Sequence, residues 1–151
     1  EVAGLIQSNG FVVQRRSSWG EGGPEALAAT PTIWLGDSLG EMALYFGLAD
    51  VALLGGSFEP LGGQNLIEAA ACGCPVVMGP HTFNFTDAAE QAERAGAALR
   101  VPDLTQGVRL ATELAGDAMR LMTVAQASVN FSNAHRGATQ HLVAAIKSMI
   151  G

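Results

Sequence analysis

The segment from Gly55 to Asn65 carries the residues whose types and spacing point most directly to chemistry. Its first nine residues include four glycines, at positions 55, 56, 62 and 63. Glycine loses more conformational freedom on folding than any other residue, so such a run indicates a place that needs bare backbone. Gly62-Gly63, directly before a predicted helix, would present free N–H groups and the positive end of the helix dipole to an anion. The segment contains no lysine, which excludes a Walker phosphate loop.

Asn65 and Glu68 extend this candidate site into the next predicted helix. Their spacing is that of an N-cap residue and its partner three positions later, so Glu68 could simply close a capping box. A carboxylate one turn into a helix at a nucleotide cleft is also placed to accept hydrogen bonds from ribose hydroxyls. Because the glycines already indicate a ligand, we favour the ligand-binding interpretation of Glu68.

A second glycine-bearing segment has the sequence Gly36-Asp37-Ser38-Leu39-Gly40-Glu41 and follows a predicted strand. Ser38 and Glu41 have the spacing of a capping box, in which each side chain satisfies an amide of the first helical turn. The glycines would equally let a ligand approach the backbone. Both interpretations of this segment stay open on the sequence alone.

A third segment, Gly79-Pro80-His81-Thr82-Phe83-Asn84-Phe85, also follows a predicted strand. A lone histidine in a loop is usually a surface residue. Here the polar side chains of His81, Thr82 and Asn84 lie close together in sequence at the predicted carboxyl edge of the sheet, which favours a ligand-binding role for this loop. The other histidines, His135 and His141, lie in a predicted helical tail, and we assign them no chemistry.

Alternating strands and helices must position these three segments. Short apolar runs predict strands that begin at Phe11 and that cover 33–35, 51–54, 75–78 and 97–101. Apolar residues at helical spacing predict helices over 1–9, 38–47, 65–72, 87–95 and, in two or three pieces broken near Gly116 and Gly137, 104–150. No tight hairpin turn joins two strands, so they pair in parallel through crossovers. The predicted fold is α/β, a Rossmann-like doubly wound parallel sheet with a helical C-terminal tail, and the three segments meet at its carboxyl edge.

Two details of packing and one loop also follow from the sequence. In the helix predicted over 87–95, Ala88, Ala92 and Ala95 are expected to face inward. Cys72 and Cys74 are one residue too close for the usual zinc or redox spacing, so we interpret both as small buried residues. Residues 17–31, rich in glycine, are predicted to form a loop.

Composition limits the classes of function. The chain has 151 residues, 48% of them apolar, and a net charge of -6. This balance fits one globular domain and excludes a general phosphate-backbone footprint, so we expect no nucleic-acid partner. No apolar run approaches the ~18 to 20 residues of a membrane span. The chain begins Glu1-Val2-Ala3 without methionine, and we expect it to belong to a longer protein.

Together, the three segments resemble the 3-deoxy-D-manno-octulosonic acid (Kdo) transferases of Gram-negative bacteria. The resemblance runs through essentially the whole chain, but it corresponds only to the C-terminal domain of a two-domain GT-B glycosyltransferase. The chain departs from the family pattern at Gln64, where histidine is usual, and at Ser38-Leu39, where Thr-Met is common. Glutamine keeps a hydrogen-bond donor and an acceptor at that position, but it does not titrate.

The resemblance implies that residues 1–151 form a single nucleotide-sugar-binding domain for CMP-Kdo. It implies an inverting transfer of Kdo to a lipid A precursor at the cytoplasmic face of the inner membrane, without a metal or other cofactor. The N-terminal domain, absent here, would supply the membrane anchor, the acceptor site and the catalytic carboxylate, so we expect the chain itself to be soluble and to hold no catalytic residue. The donor-binding residues implied are Gly36, Asp37, Ser38, Gly40, Glu41, Gly55, Gly56, Ser57, Gly62, Gly63, Gln64, Asn65, Glu68, His81, Thr82 and Asn84. Arg15 and Arg16 are further candidates for the CMP phosphate.

Two other classes of function stay open. Another GT-B sugar-nucleotide enzyme, such as a UDP-sugar transferase or epimerase, would use the same fold and a similar glycine-rich loop followed by a glutamate. A non-catalytic nucleotide-binding or interaction module would also fit a domain of this size. A binding titration that compares CMP with UDP separates the sugar-nucleotide classes.

Overall fold

The fold is taken from a computed structural model that describes residues 1–21, 23–24 and 32–135. It consists of two compact units, Glu1–Met42 and a second unit that begins at Ala43. Among the described residues, no helix is both long and apolar enough to cross a membrane. The expectation that the whole chain acts as one nucleotide-sugar-binding domain stays a prediction.

The first unit contains a helix and two paired strands. Helix α1 covers Val2–Ser8, strand β1 covers Val12–Arg15, and strand β2 covers Thr32–Leu35. A single 3₁₀ turn, Arg16–Ser18, follows β1. The two strands pair in parallel, with Val12 opposite Thr32 and Arg15 opposite Leu35. The helix and both strands were predicted from the sequence, and the parallel pairing is confirmed.

Helix α2 covers Met42–Leu48, four residues later than the start predicted from the apolar spacing. Ser38 therefore lies four residues before the helix, which does not fit the capping-box interpretation that the sequence left open for Ser38 and Glu41. Their side chains meet instead in a direct hydrogen bond, in which the Ser38 hydroxyl donates to the Glu41 carboxylate. Ser38 and Glu41, three residues apart, thus form a hydrogen bond between their side chains in the loop before α2.

The second unit alternates strands and helices as predicted. Its strands are β3 (Ala52–Leu54), β4 (Val76–Met78) and β5 (Ala98–Arg100), and they form a parallel sheet in that order. Its helices are α3 (Leu66–Ala71), α4 (Thr86–Arg94), α5 (Leu104–Gly116) and α6 (Ala118–His135). Within the described residues, hydrogen bonds thus join the strands into a two-stranded sheet, β1-β2, and a three-stranded sheet, β3-β4-β5. The predicted helix break at Gly116 is confirmed, whereas Gly137 and His141 lie outside the described residues.

Both faces of the three-stranded sheet carry helices. Leu54, Val76 and Met78 belong to a buried cluster with residues of α3, α4 and α6. Alternate residues of a strand point to opposite faces, so Leu53 points the other way. There it packs on α5, where a Cβ built on Gly107 would lie 3.2 Å from Leu53 Cδ2. This arrangement is the doubly wound layering that the sequence predicted.

Two of the predicted burial assignments are wrong. Helix α4 ends at Arg94, so Ala95 lies beyond it and is exposed, while Ala89 is buried in its place. Cys72, just after α3, is also exposed. Cys74 is buried as predicted, and this burial raises the pKa of its thiol to about 11.

Candidate functional site

Two loops meet at the carboxyl edge of the three-stranded sheet. We call them the β3 loop, residues 55–65, and the β4 loop, residues 79–85. The Asn84 N–H donates to Gly62 O over 3.1 Å, and Asn84 Nδ2 donates to Leu61 O over 3.2 Å. A Cβ built on Gly62 would lie only 2.2 Å from Asn84 Nδ2. The glycine is therefore required by the close approach of the β4 loop as well as by its own φ of +90°.

The buried residue Ser57 joins the β3 loop to the β4 loop through hydrogen bonds. Its side chain is fully buried, and its hydroxyl donates to Leu54 O over 2.5 Å. The same oxygen accepts the Gly79 N–H over 2.7 Å, while Ser57 O accepts the His81 N–H over 2.9 Å. The structure therefore places Ser57, which the family resemblance implied as a donor-binding residue, in the framework beneath the loops.

The backbone amides of the β3 loop are partly used within the loop. The Gly63 N–H donates to Gly56 O over 3.0 Å, so the expectation that this N–H is free for an anion is wrong. The Gly56 N–H donates to Gln64 Oε1 over 3.2 Å. Gln64 thus uses its amide oxygen to brace the loop, and its exposed side chain lies over Gly56.

Asn65 caps helix α3, as its position predicted. Its Oδ1 accepts the Ile67 N–H over 3.1 Å, and its Nδ2 donates to Glu68 Oε1 over 3.0 Å. Glu68 therefore contacts the side chain of the cap residue, where a capping box would pair it with the Asn65 backbone N–H. Glu68 is exposed, and its carboxylate is accessible to a ligand.

A cleft of about 540 Å³ opens beside the β4 loop. His81 is half-buried in its wall and Thr82 is buried, whereas Asn84 is exposed. The wall also includes Arg100, which sequence reasoning missed although it lies within the strand predicted over 97–101. Arg100 donates to Gly79 O, to Thr82 Oγ1 and to the Glu93 carboxylate. A charged residue at the carboxyl end of a strand was the signal that could have identified it.

Within the first unit, predicted site residues form an ion-paired cluster. Asp37 accepts hydrogen bonds from the Ser17 N–H and hydroxyl, each over 2.8 Å, and these bonds hold the pKa of its carboxyl below the usual range. Arg15 lies 3.8 Å from Asp37, and Arg16 donates to Glu41 over 2.7 Å. Gly36 and Gly40 are exposed beside this cluster. Both arginines thus already have carboxylate partners, and their role toward a phosphate stays a prediction.

The structure brings together the predicted residues of the β3 and β4 loops, because these loops follow neighbouring strands of one sheet. That the segment 36–41 joins them in one site stays a prediction. Within the part of the chain that the structure describes, no group of three or more His, Cys, Asp or Glu side chains is placed to hold a metal ion.

No protein-family model matches this chain. It is 46% identical over 152 residues to a 3-deoxy-D-manno-octulosonic acid transferase of Bordetella pertussis, an alignment that covers 100% of this chain and 34% of the relative. It is 31% identical over 147 residues to the protein of the same name in Haemophilus influenzae, covering 97% of the chain and 33% of the relative.

The fold has a match among solved structures. It is similar to the C-terminal CMP-Kdo binding domain of WaaA from Acinetobacter baumannii, with a TM-score of 0.76 and 27% identity, covering 86% of this chain and 65% of that one. The chain belongs to the Kdo transferase family. It spans about a third of the length of the two curated Kdo transferases above. The family resemblance and the α/β fold that the alternating strands and helices predicted are both confirmed.

Proposed function

We propose that this chain binds CMP-Kdo and forms the donor-binding part of a Kdo transferase. The observation that carries the proposal is the match, over 86% of the chain, to a domain described as CMP-Kdo binding. The hydrogen bonds between the β3 and β4 loops also support it. They hold a surface at the carboxyl edge of a parallel sheet, where ligands of such folds bind.

Within the second unit, we assign the nucleotide contacts to Glu68 at the start of α3 and to polar side chains of the β4 loop. The exposed Glu68 carboxylate would accept hydrogen bonds from the ribose hydroxyls. His81 and Asn84 would contact the base or the sugar acid. Gly62, Gly63 and Ser57 hold the loops in the geometry that presents these groups.

The reaction that we propose for the longer protein is an inverting transfer of Kdo from CMP to a lipid A precursor at the cytoplasmic face of the inner membrane. Such a transfer requires donor and acceptor to be held in register. This chain would hold the donor, and a carboxylate outside it would act as the base. Backbone amides and other fixed dipoles can stabilise the departing phosphate of CMP without a metal ion.

Titration of the ¹⁵N-labelled chain with CMP tests the donor assignment. We expect amide shifts concentrated in residues 55–68 and 79–85, with weak binding of about -4 to -6 kcal/mol because one domain encloses little of the ligand. Shifts that include residues 36–41 would support a single site. UMP and UDP serve as controls, and tighter binding of either would favour a UDP-sugar enzyme. Saturating CMP that moves none of these amides would contradict the proposal.

Glu68→Gln separates ligand binding from helix capping. The amide oxygen can still accept the hydrogen bond from Asn65 Nδ2, so we expect the melting temperature to change little. The loss of charge should weaken CMP binding by about 1 to 3 kcal/mol if the carboxylate contacts the ribose. Glu113→Gln, which alters an exposed glutamate paired with Arg109 on α5, is the matched control. A lowered melting temperature with unchanged CMP affinity would show that Glu68 acts in capping.

A further inference from the structure

Arg100 lies at the end of β5, beside the loop that follows β4. In the parallel ladder it is opposite Met78, the last residue of β4, and the next residue, Val101, donates its N–H to Met78 O over 2.9 Å. Its side chain is 24% exposed. The strand register therefore places Arg100 next to the point where the chain leaves β4 and enters the β4 loop.

The guanidinium group of Arg100 joins the two ends of a short stretch of that loop. Its Nη1 donates to Gly79 O over 3.0 Å and to Thr82 Oγ1 over 3.2 Å. Gly79 and Thr82 are both buried, so their oxygens need a partner within the protein. His81 lies between them in sequence. Arg100 thus fixes the loop on both sides of His81.

Glu93, on α4, holds the same guanidinium group from the other side. Its Oε2 accepts a hydrogen bond from Arg100 Nε over 2.9 Å. Because the guanidinium is planar with donors in fixed directions, anchoring Nε also sets the direction of Nη1. The pair also balances the charge of Arg100, which favours a role in holding the loop over a role in attracting an anion.

We propose that Arg100 is a positioning residue, which sets the conformation of residues 79–82 in which the β4 loop contacts the bound nucleotide. This inference rests on the proposed function, since it takes the β4 loop to be part of the CMP site. It assigns Glu93 a role as well, because Glu93 aligns the guanidinium group through its hydrogen bond with Arg100 Nε. If Arg100 instead contacted the CMP phosphate directly, removal of Glu93 would free its charge and strengthen binding.

The test uses the ¹⁵N-labelled 151-residue chain, CMP as the ligand and three variants. Arg100→Met keeps most of the apolar stem but removes every donor, and we expect it to shift the amides of residues 79–84 before CMP is added. It should also weaken CMP binding about tenfold. Arg100→Lys should restore part of the affinity, because it keeps the charge and a single donor group. Glu93→Ala should also weaken CMP binding. If Arg100→Met does not fold, the Glu93→Ala result alone tests the proposal.

Arg94→Met is the matched control. Arg94 lies on the same helix as Glu93, its side chain is 69% exposed, and its ion pair with Glu90 is long, at 3.8 Å. It should leave both the loop amides and the CMP affinity unchanged. Tighter CMP binding by Glu93→Ala, or unchanged loop amides and affinity in Arg100→Met, would overturn the positioning role alone. A wild-type chain that binds no CMP would overturn the proposed function and this inference with it.

Discussion

Replacing Gly62 with alanine is expected to lower the free energy of unfolding of the chain by about 2 to 4 kcal/mol, because two costs act at one position. The backbone φ of +90° is strained for any residue with a Cβ. The new methyl group would also lie 2.2 Å from Asn84 Nδ2 and 2.7 Å from Phe83 Cε2. The exposed side chains of Asn84 and Phe83 must therefore turn away, and Asn84 would lose its hydrogen bond to Leu61 O, so the CMP-induced amide shifts of residues 79–85 should weaken as well. Urea unfolding and the CMP titration measure the two effects.

Gly96→Ala supplies the matched control for Gly62→Ala. Gly96 lies in the same unit with a φ of +71°, but a Cβ built there meets only Ala127 Cβ, at 4.0 Å. Its substitution should therefore cost only the backbone strain, about 1 kcal/mol, and leave the CMP shifts unchanged. Equal losses of stability in the two variants would mean that the contact between the β3 and β4 loops contributes nothing.

The strands and helices of both units could be predicted because their signals are local. The apolar run at 51–54, the cap at Asn65 and the break at Gly116 each depend on a few adjacent residues, and the structure bears out all three. The start of α2 could not be placed in this way. Ser38 and Glu41 have the spacing of a cap, but their side chains bond to each other in the preceding loop. Spacing alone does not distinguish these two outcomes.

The sequence indicated the β3 and β4 loops as a candidate site, but it did not indicate the contacts that their residues make with each other. The glycines of the β3 loop indicate a need for bare backbone, and a ligand and a neighbouring loop create the same need. In the structure, the side chain of Asn84, 22 residues beyond Gly62, occupies the space that a Cβ at Gly62 would need. Arg100 escaped notice for a related reason, since its partners Gly79 and Thr82 are 21 and 18 residues away in sequence. Contacts over such distances carry no local pattern.

Replacing Ser57 with alanine should lower the free energy of unfolding by about 2 to 3 kcal/mol, since it leaves a buried N–H group without its acceptor. The Ser57 hydroxyl is fully buried, accepts the Gly79 N–H over 2.7 Å and donates to Leu54 O over 2.5 Å. Alanine preserves most of the volume but offers no atom for either bond. Urea unfolding measures the loss of stability, and hydrogen exchange should show faster exchange of the Gly79 amide.

Ser128→Ala is the matched control, because Ser128 is also fully buried but its single hydroxyl hydrogen is shared between two acceptors, Ala97 O at 3.2 Å and Val124 O at 3.0 Å. Its loss leaves no N–H group without an acceptor, and a carbonyl oxygen tolerates a lost partner better than an amide does. We therefore expect a smaller loss of stability, about 1 kcal/mol, and unchanged exchange at Gly79. If Ser57→Ala cost no more than Ser128→Ala and Gly79 kept its protection, the hydroxyl of Ser57 would not be what joins the β3 loop to the end of β4.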